Sequence, residues 1–225
     1  MSRFPAAKTE EEAAPPAANE AEGKEEEADD CLGDLAALFP PPEYSELVYH
    51  FGGHTQRVLA LPPQFAQIVI GEVVWRGATA LCEWLVRPGG AAPFAVAGAR
   101  VVEVGAGCGV CGVLCKQLGA RQVLLTDYEP HVLELLARNA ELNGLSAAEH
   151  VRALDWLQPL PPDLAGAFDA VIGSDVVYCR DLCPGLFATA AGLLVRGGCF
   201  AMVNGRGRFS KAADLALSEA EAAGL

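Results

Sequence analysis

The stretch Val101-Val102-Glu103-Val104-Gly105-Ala106-Gly107-Cys108-Gly109-Val110-Cys111-Gly112 constrains the fold more than any other part of this chain. A short, largely β-branched apolar run reads as a buried strand. The glycines after it let the backbone turn sharply and approach a ligand without side-chain collision. Helical spacing then runs from Val110 to Leu118, and Gly119 closes it. The alternation repeats downstream. Strands are expected at 122–126, 151–154, 168–173 and 199–203, with helices at 130–142, 182–195 and 211–223. Strands alternating with helices give right-handed βαβ units, an α/β fold and a mostly parallel sheet. Ligands in such sheets bind at the carboxyl ends of the strands, near the switch point.

The preceding residues follow other rules. The chain has 225 residues and a formal net charge of −13, and ten acids and three bases fall in its first 30 positions. With almost no large apolar residues, that segment cannot offset its ordering entropy. Residues 1–43 therefore read as a disordered acidic tail and linker ending at Pro40-Pro41-Pro42. Residues 44–98 read as a hairpin of short strands, with β-like stretches at 48–51 and 67–70, then a helix at 77–86 stopped by Pro88-Gly89-Gly90. Residues 99–225 form the Rossmann-like core. The last helix nearly exhausts the chain, and no strand follows to cover the sheet edge. The expectation is a shortened chain that lacks its final strands.

Composition removes several function classes. The acidity argues against a sequence-independent grip on nucleic acid or anionic lipid. Lys8, Lys24, Lys116 and Lys211 are the only lysines, and none stands at a P-loop spacing. No N-terminal apolar segment resembles a signal peptide, and the apolar run at 186–203 is broken by Arg196-Gly197-Gly198. Eight cysteines without a secretory signal read as reduced thiols of a cytoplasmic protein, with the nucleus as the alternative. Cys108, Cys111 and Cys115 have C-x-x-C spacing but no second pair, so they read as small buried thiols and no metal is expected.

The glycine turn alone does not choose its ligand, because Gly107 to Gly112 also satisfies the G-x-G-x-x-G of dinucleotide enzymes. Glu103 shifts the balance. An acid two residues before the first glycine would repel a pyrophosphate and suits a cationic ligand such as S-adenosylmethionine. Asp127, 20 residues after Gly107, ends the second strand, where it can accept hydrogen bonds from two ribose hydroxyls. Asp155-Trp156 ends the third, where an acid and an indole can read an adenine. The fourth ends in Ser174-Asp175-Val176-Val177-Tyr178, which places Asp175 facing a methyl donor. Each has a plainer reading as a turn acid, a helix cap or a core aromatic.

These pieces together resemble a seven-strand S-adenosylmethionine-dependent methyltransferase. More closely, the chain is similar to the non-histone protein-lysine methyltransferases marked by D-x-x-Y after the fourth strand. The resemblance covers about residues 44–225 and rests on Val74-Trp75-Arg76-Gly77-Ala78, the glycine turn, Thr126-Asp127-Tyr128, Leu154-Asp155-Trp156 and Ser174-Asp175-Val176-Val177-Tyr178. It implies that Trp75 lies near the methionine end of the cofactor and that Gly105, Ala106 and Gly107 pass under it. Asp127 would hold the ribose, Trp156 would contact adenine and the backbone at Ser174 would close the pocket. Asp175 and Tyr178 would be the catalytic pair flanking the substrate amine. The implied reaction is methyl transfer to a lysine amine of a non-histone protein. A protein arginine or histidine acceptor, or a catalytically silent binding module, is the alternative. Two departures bear on the substrate: Arg76 replaces a small or acidic residue after Trp75, and residues 203–208 are unusually rich in glycine and arginine.

Overall fold

The computed structural model describes residues 43–66, 70–87, 94–205 and 210–225, with the backbone alone for 210–215. The expected tail at 1–43 lies outside these residues apart from its last position. The β-like stretch at 67–69, the Pro88-Gly89-Gly90 stop and Arg206–Arg208 lie outside them altogether.

Strands β1 (Ser45–Phe51) and β2 (His54–Ala60) form an antiparallel hairpin with Phe51 opposite His54. The turn between them is Gly52-Gly53, with φ of 54° and 88°. Two left-handed residues give a two-residue turn whose twist matches that of its strands, and only glycine does this without strain. The second strand therefore follows the turn at once, well before position 67. Helix α1 (Arg76–Leu85) comes next, buried on Gly77, Ala78, Leu81 and Cys82.

The core is a five-stranded parallel sheet among the described residues. Its strands are β3 (Arg100–Val104), β4 (Gln122–Asp127), β5 (Val151–Ala153), β6 (Phe168–Ser174) and β7 (Leu194–Val203), in the spatial order β5-β4-β3-β6-β7. Helices α2 (Val110–Gln117), α3 (Pro130–Leu142), the short α4 (Ala147–His150), α5 (Cys183–Leu193) and α6 (Ser210–Ala223) connect or follow the strands. Two apolar clusters result. One joins Val101, Val123, Leu125 and Ile172 to α1, α2, α3 and the hairpin. The other joins Val102, Val104, Phe168 and Val171 to α5 and α6. No described helix is long and apolar enough to cross a membrane.

The chain runs outward from β3 to β5, then returns to β6 and runs the other way to β7. Its direction therefore switches between β3 and β6, and the carboxyl ends of these strands carry Gly105 and Asp175. Arg100 and Asp169 pin the opposite ends through a backbone bond of 2.8 Å and a side-chain ion pair of 2.6 Å.

One boundary differs from the sequence expectation. The helix expected to reach 195 stops at Leu193, and β7 begins at Leu194 rather than 199. Leu193, Leu194 and Val195 are apolar in either period, so spacing cannot place the change. The structure places it where Phe168 pairs with Leu194, and the register then slips so that Ala170 meets Cys199. Gly197, with φ of 79°, absorbs the bulge.

The hairpin is fastened to the core by two amides one helical turn apart. Asn139, buried on α3, accepts the Leu59 N–H at 2.7 Å and donates to the Leu59 carbonyl at 2.9 Å. Its Nδ2 also donates to the Cys108 carbonyl at 3.0 Å. Asn143 makes the equivalent pair with Arg57. The i, i+4 spacing matches alternate residues of β2, so the two side chains act as a short pseudo-strand along its edge.

Candidate active site

A cleft of about 580 Å³ opens at the switch point. The glycine turn forms its floor. Gly105 and Gly107 have φ of 60° and 53°. A side chain at Gly107 would stand 2.9 Å from the Gly71 carbonyl oxygen, and one at Gly105 would stand 2.9 Å from Val176 and 3.1 Å from the Trp156 ring. Bare backbone is therefore required under the cleft.

The structure brings Trp75, Gly105, Ala106, Gly107, Asp127, Trp156, Ser174, Asp175 and Tyr178 together as lining residues. Asp127 is fixed by three backbone donors: Gly107 at 3.1 Å, Tyr128 at 2.8 Å and Glu129 at 3.3 Å. Burial raises its pKa above the ordinary value, and those N–H groups oppose the rise. Trp75 caps α1, and its indole N–H donates to the Ile70 carbonyl at 2.7 Å. The Tyr178 hydroxyl is pushed up by partial burial, reinforced by Tyr128 and Asp127, so it stays protonated at neutral pH.

Asp175 has φ of 53°, the single described non-glycine residue in the left-handed region. Its Oδ2 accepts the Gly77 N–H at 2.7 Å and its Oδ1 accepts the Gly205 N–H at 2.6 Å. Both oxygens thus hold backbone, one at the first turn of α1 and the other just past β7. The sequence reading places Asp175 in a catalytic pair flanking the substrate amine; the geometry adds a bracing task.

Glu103 and Asp155 do not line the cleft. Glu103 is buried at 1% exposure, and its Oε2 accepts the Gly112 N–H at 2.7 Å. It supports the glycine turn from beneath, and a Cβ at Gly112 would lie 2.1 Å from Leu125 Cδ2 as well as 2.9 Å from that oxygen. Asp155 turns back to accept the Leu157 N–H at 2.9 Å. Strand alternation explains Glu103: with the turn beginning two residues later, its side chain points into the α2 layer.

Cys108, Tyr128 and Val176 of the sequence motifs also line the cleft, as do Glu72, Glu129 and His131, to which no motif points. Tyr128 directly follows the strand-end acid and is exposed at the cleft. Glu72 carried no local signal; the fold of the loop before α1 brings it in. Burial pushes the Cys108 thiol up to about 12, in keeping with a packed thiol. A larger cavity of about 1060 Å³ lies among α5, β7 and α6, and Arg196 is the one charged side chain among its described lining residues. Its other described lining side chains are mostly apolar.

The lining tests a cofactor directly. Charged side chains along the described cleft are Glu72, Asp127, Glu129 and Asp175, with no lysine or arginine. A dinucleotide pyrophosphate would find no counter-charge there. A bare glycine turn, a fixed acid at the second strand end and an acidic wall fit a cationic adenosyl ligand, S-adenosylmethionine.

Fold and cleft together place the chain in the Rossmann-like class of α/β folds with a ligand cleft at the switch point. A Streptococcus mutans structure assigned as a SAM-dependent methyltransferase shares the fold at a TM-score of 0.55, with 15% identity over 82% of this chain and 47% of that one. Within that class the chain belongs to the lysine methyltransferase family, whose model matches residues 55–212. It is similar to protein N-lysine methyltransferase METTL21A of Danio rerio, 34% identical over 58% of this chain and 59% of that protein. It is also similar to protein-lysine N-methyltransferase EEF2KMT of Bos taurus, 35% identical over 49% of this chain and 38% of that protein. The chain thus spans three fifths or less of these two relatives.

Proposed function

We propose that this chain is an S-adenosylmethionine-dependent methyltransferase that modifies a lysine side-chain amine of a non-histone protein. The observation that carries the reading is the all-acidic cleft over the bare glycine turn at the β3–β6 switch point. Membership of the lysine methyltransferase family supports the acceptor, as do relatives named for protein-lysine methylation. The seven described cysteines are all free thiols, which supports a reducing compartment such as the cytoplasm.

Gly105, Ala106 and Gly107 form the floor for the cofactor. Asp127, already oriented by three N–H donors, accepts the ribose hydroxyls, and Trp156 stands against the turn for the adenine. When bound, the cofactor supplies a methyl group on a cationic sulfur. A free lysine has a pKa of about 10.4, so its amine must shed a proton before it can attack. Desolvation against Trp75, Val176 and Tyr178 lowers that pKa. Alignment alone supplies on the order of 7–11 kcal/mol of barrier reduction. Tyr178 walls the entry and keeps its hydroxyl protonated. Asp175 acts as a positioning residue, holding α1 and the strand β7 exit at the mouth.

The test is transfer of tritiated methyl from S-adenosylmethionine to proteins of a cell lysate, followed by mass spectrometry. Label on lysine is the expected result. Label on nucleic acid, arginine or histidine overturns the acceptor, and absence of cofactor binding by calorimetry overturns the enzyme in favour of a silent binding module.

A further inference from the structure

The loop before α1 carries Glu72 into the cleft, where a residue 28 positions away holds it. The Glu72 carbonyl accepts the Leu61 N–H at 2.7 Å, and the Tyr44 hydroxyl donates to Glu72 Oε2 at 2.9 Å. The Arg138 guanidinium lies over the Tyr44 ring, 5.4 Å from its centroid. Burial, then the neighbouring carboxylate, pushes the Tyr44 hydroxyl up to about 12, so it remains a donor across the neutral range. The adjacent Gly71 carbonyl accepts the Cys108 thiol at 3.7 Å and closes over Gly107. Glu72 is therefore fixed beside the glycine turn.

The cleft carboxylates differ in compensation. Asp127 meets three backbone N–H groups and Asp175 meets two. Glu72 meets one neutral hydroxyl, backed by the Arg138 guanidinium over the Tyr44 ring, and no lysine or arginine stands among the described lining residues. Glu72 lines the cleft beside the glycine turn, and a carboxylate there attracts a cation bound in the cleft but not a neutral ligand.

We propose that Glu72, aimed by Tyr44, lets the cleft discriminate by charge between the methyl donor and its demethylated product. This rests on the S-adenosylmethionine reading above. Donor and product differ by one methyl group and one positive charge. In transfer, the amine lone pair forms the new N–C bond, the C–S bonding pair returns to sulfur, and the methylated amine yields its proton to solvent. The sulfonium becomes a neutral thioether, so the attraction to Glu72 that favoured the donor is lost for the product. Glu72 thereby holds donor and lets product leave.

Isothermal titration of wild type, Glu72→Gln and Tyr44→Phe with S-adenosylmethionine and S-adenosylhomocysteine tests this. Wild type is expected to prefer the donor. Glu72→Gln should weaken donor binding about three- to ten-fold at low salt, while product affinity changes less than about two-fold. Tyr44→Phe should shift the donor-to-product ratio in the same direction by less. The ratio within one variant is unaffected by its fraction folded. Equal weakening for both ligands in Glu72→Gln assigns Glu72 a packing role and overturns the proposal, as does an unchanged ratio. A wild-type chain that binds neither ligand overturns the underlying reading instead.

Discussion

Gly77 donates its backbone N–H to Asp175 Oδ2 at 2.7 Å, joining the first turn of α1 to the end of β6 across 98 residues. The fit leaves no spare room: a Cβ at Gly77 would stand 2.4 Å from that oxygen. Asp175 also occupies a left-handed conformation that Asp and Asn tolerate better than other side chains. The D-x-x-Y acid is thus part of the frame of the cleft as well as its lining.

Asp175→Ala should therefore lose stability and activity together. It removes two charge-assisted bonds and places Ala at positive φ, at a cost of about 2–4 kcal/mol in urea unfolding. Asp175→Asn keeps the backbone preference and one acceptor oxygen, and should cost less than half as much. Methyl transfer should fall at least about ten-fold in both variants, since Asn cannot brace α1 and Gly205 at once. An Asn variant with full activity would show that one brace suffices.

Gly107→Ala separates cofactor binding from folding. Its φ of 53° and the Gly71 carbonyl 2.9 Å from the new Cβ force the turn to move. The conformational cost is about 1–2 kcal/mol, within what a domain of this size withstands. Circular dichroism should show a folded protein, and calorimetry with S-adenosylmethionine should show binding at least about ten-fold weaker. Unchanged affinity would remove the turn from the binding floor.

The glycine turn, Asp127, Trp156 and the stretch of Ser174, Asp175, Val176 and Tyr178 were legible as cleft-lining positions because each stands at or just after a strand end that local sequence marks, although Asp155, also just after β5, turns back to Leu157. Strand β3 and helix α3 were placed to the residue for the same reason, with Gly105 and Pro130 marking their limits. Glu103 was misread because its spacing from the turn says it is close, while strand alternation sends the side chain to the other side. Glu72 was missed because its place depends on Tyr44 and Leu61, contacts no local pattern encodes. The α5–β7 boundary was blurred because Leu193-Leu194-Val195 suits either period, and pairing with Phe168 decides it. The two oxygens of Asp175 fall in the same category, since Gly77 and Gly205 become its neighbours only when the sheet forms.

Asn139→Ala tests how the hairpin is held. The change strips the Leu59 N–H of its acceptor and leaves the Leu59 and Cys108 carbonyls without the Nδ2 donor, the first two groups part-buried and the last buried. Loss of about 2–3 kcal/mol is expected by urea unfolding. Asn143→Ala, more exposed, should cost under about 1 kcal/mol. A similar small cost at both positions would mean that apolar packing alone fastens the hairpin.

Glu103 should give the protein a stability that declines toward neutral pH. Burial raises its pKa from 4.5 to about 7, against the opposing pull of the Gly112 N–H. In the unfolded chain its proton leaves near the ordinary value; in the folded chain it is held until about 7. Between those limits the folded state binds more protons, so unfolding free energy falls as pH rises. The contribution is fully present below the unfolded value and is lost as pH passes through about 7, at most on the order of 3 kcal/mol. Asp127 is shifted in the same direction by burial and adds to the slope. Asp169 works the other way: Arg100 lowers it to about 2, so its stabilisation is lost only as pH falls toward that value, outside this window. Melting temperature should therefore drop between about pH 5 and pH 7.5 in wild type. Glu103→Gln keeps an acceptor for Gly112 but does not titrate, and its slope should be visibly flatter. Identical slopes in the two proteins would show that Glu103 does not set the slope.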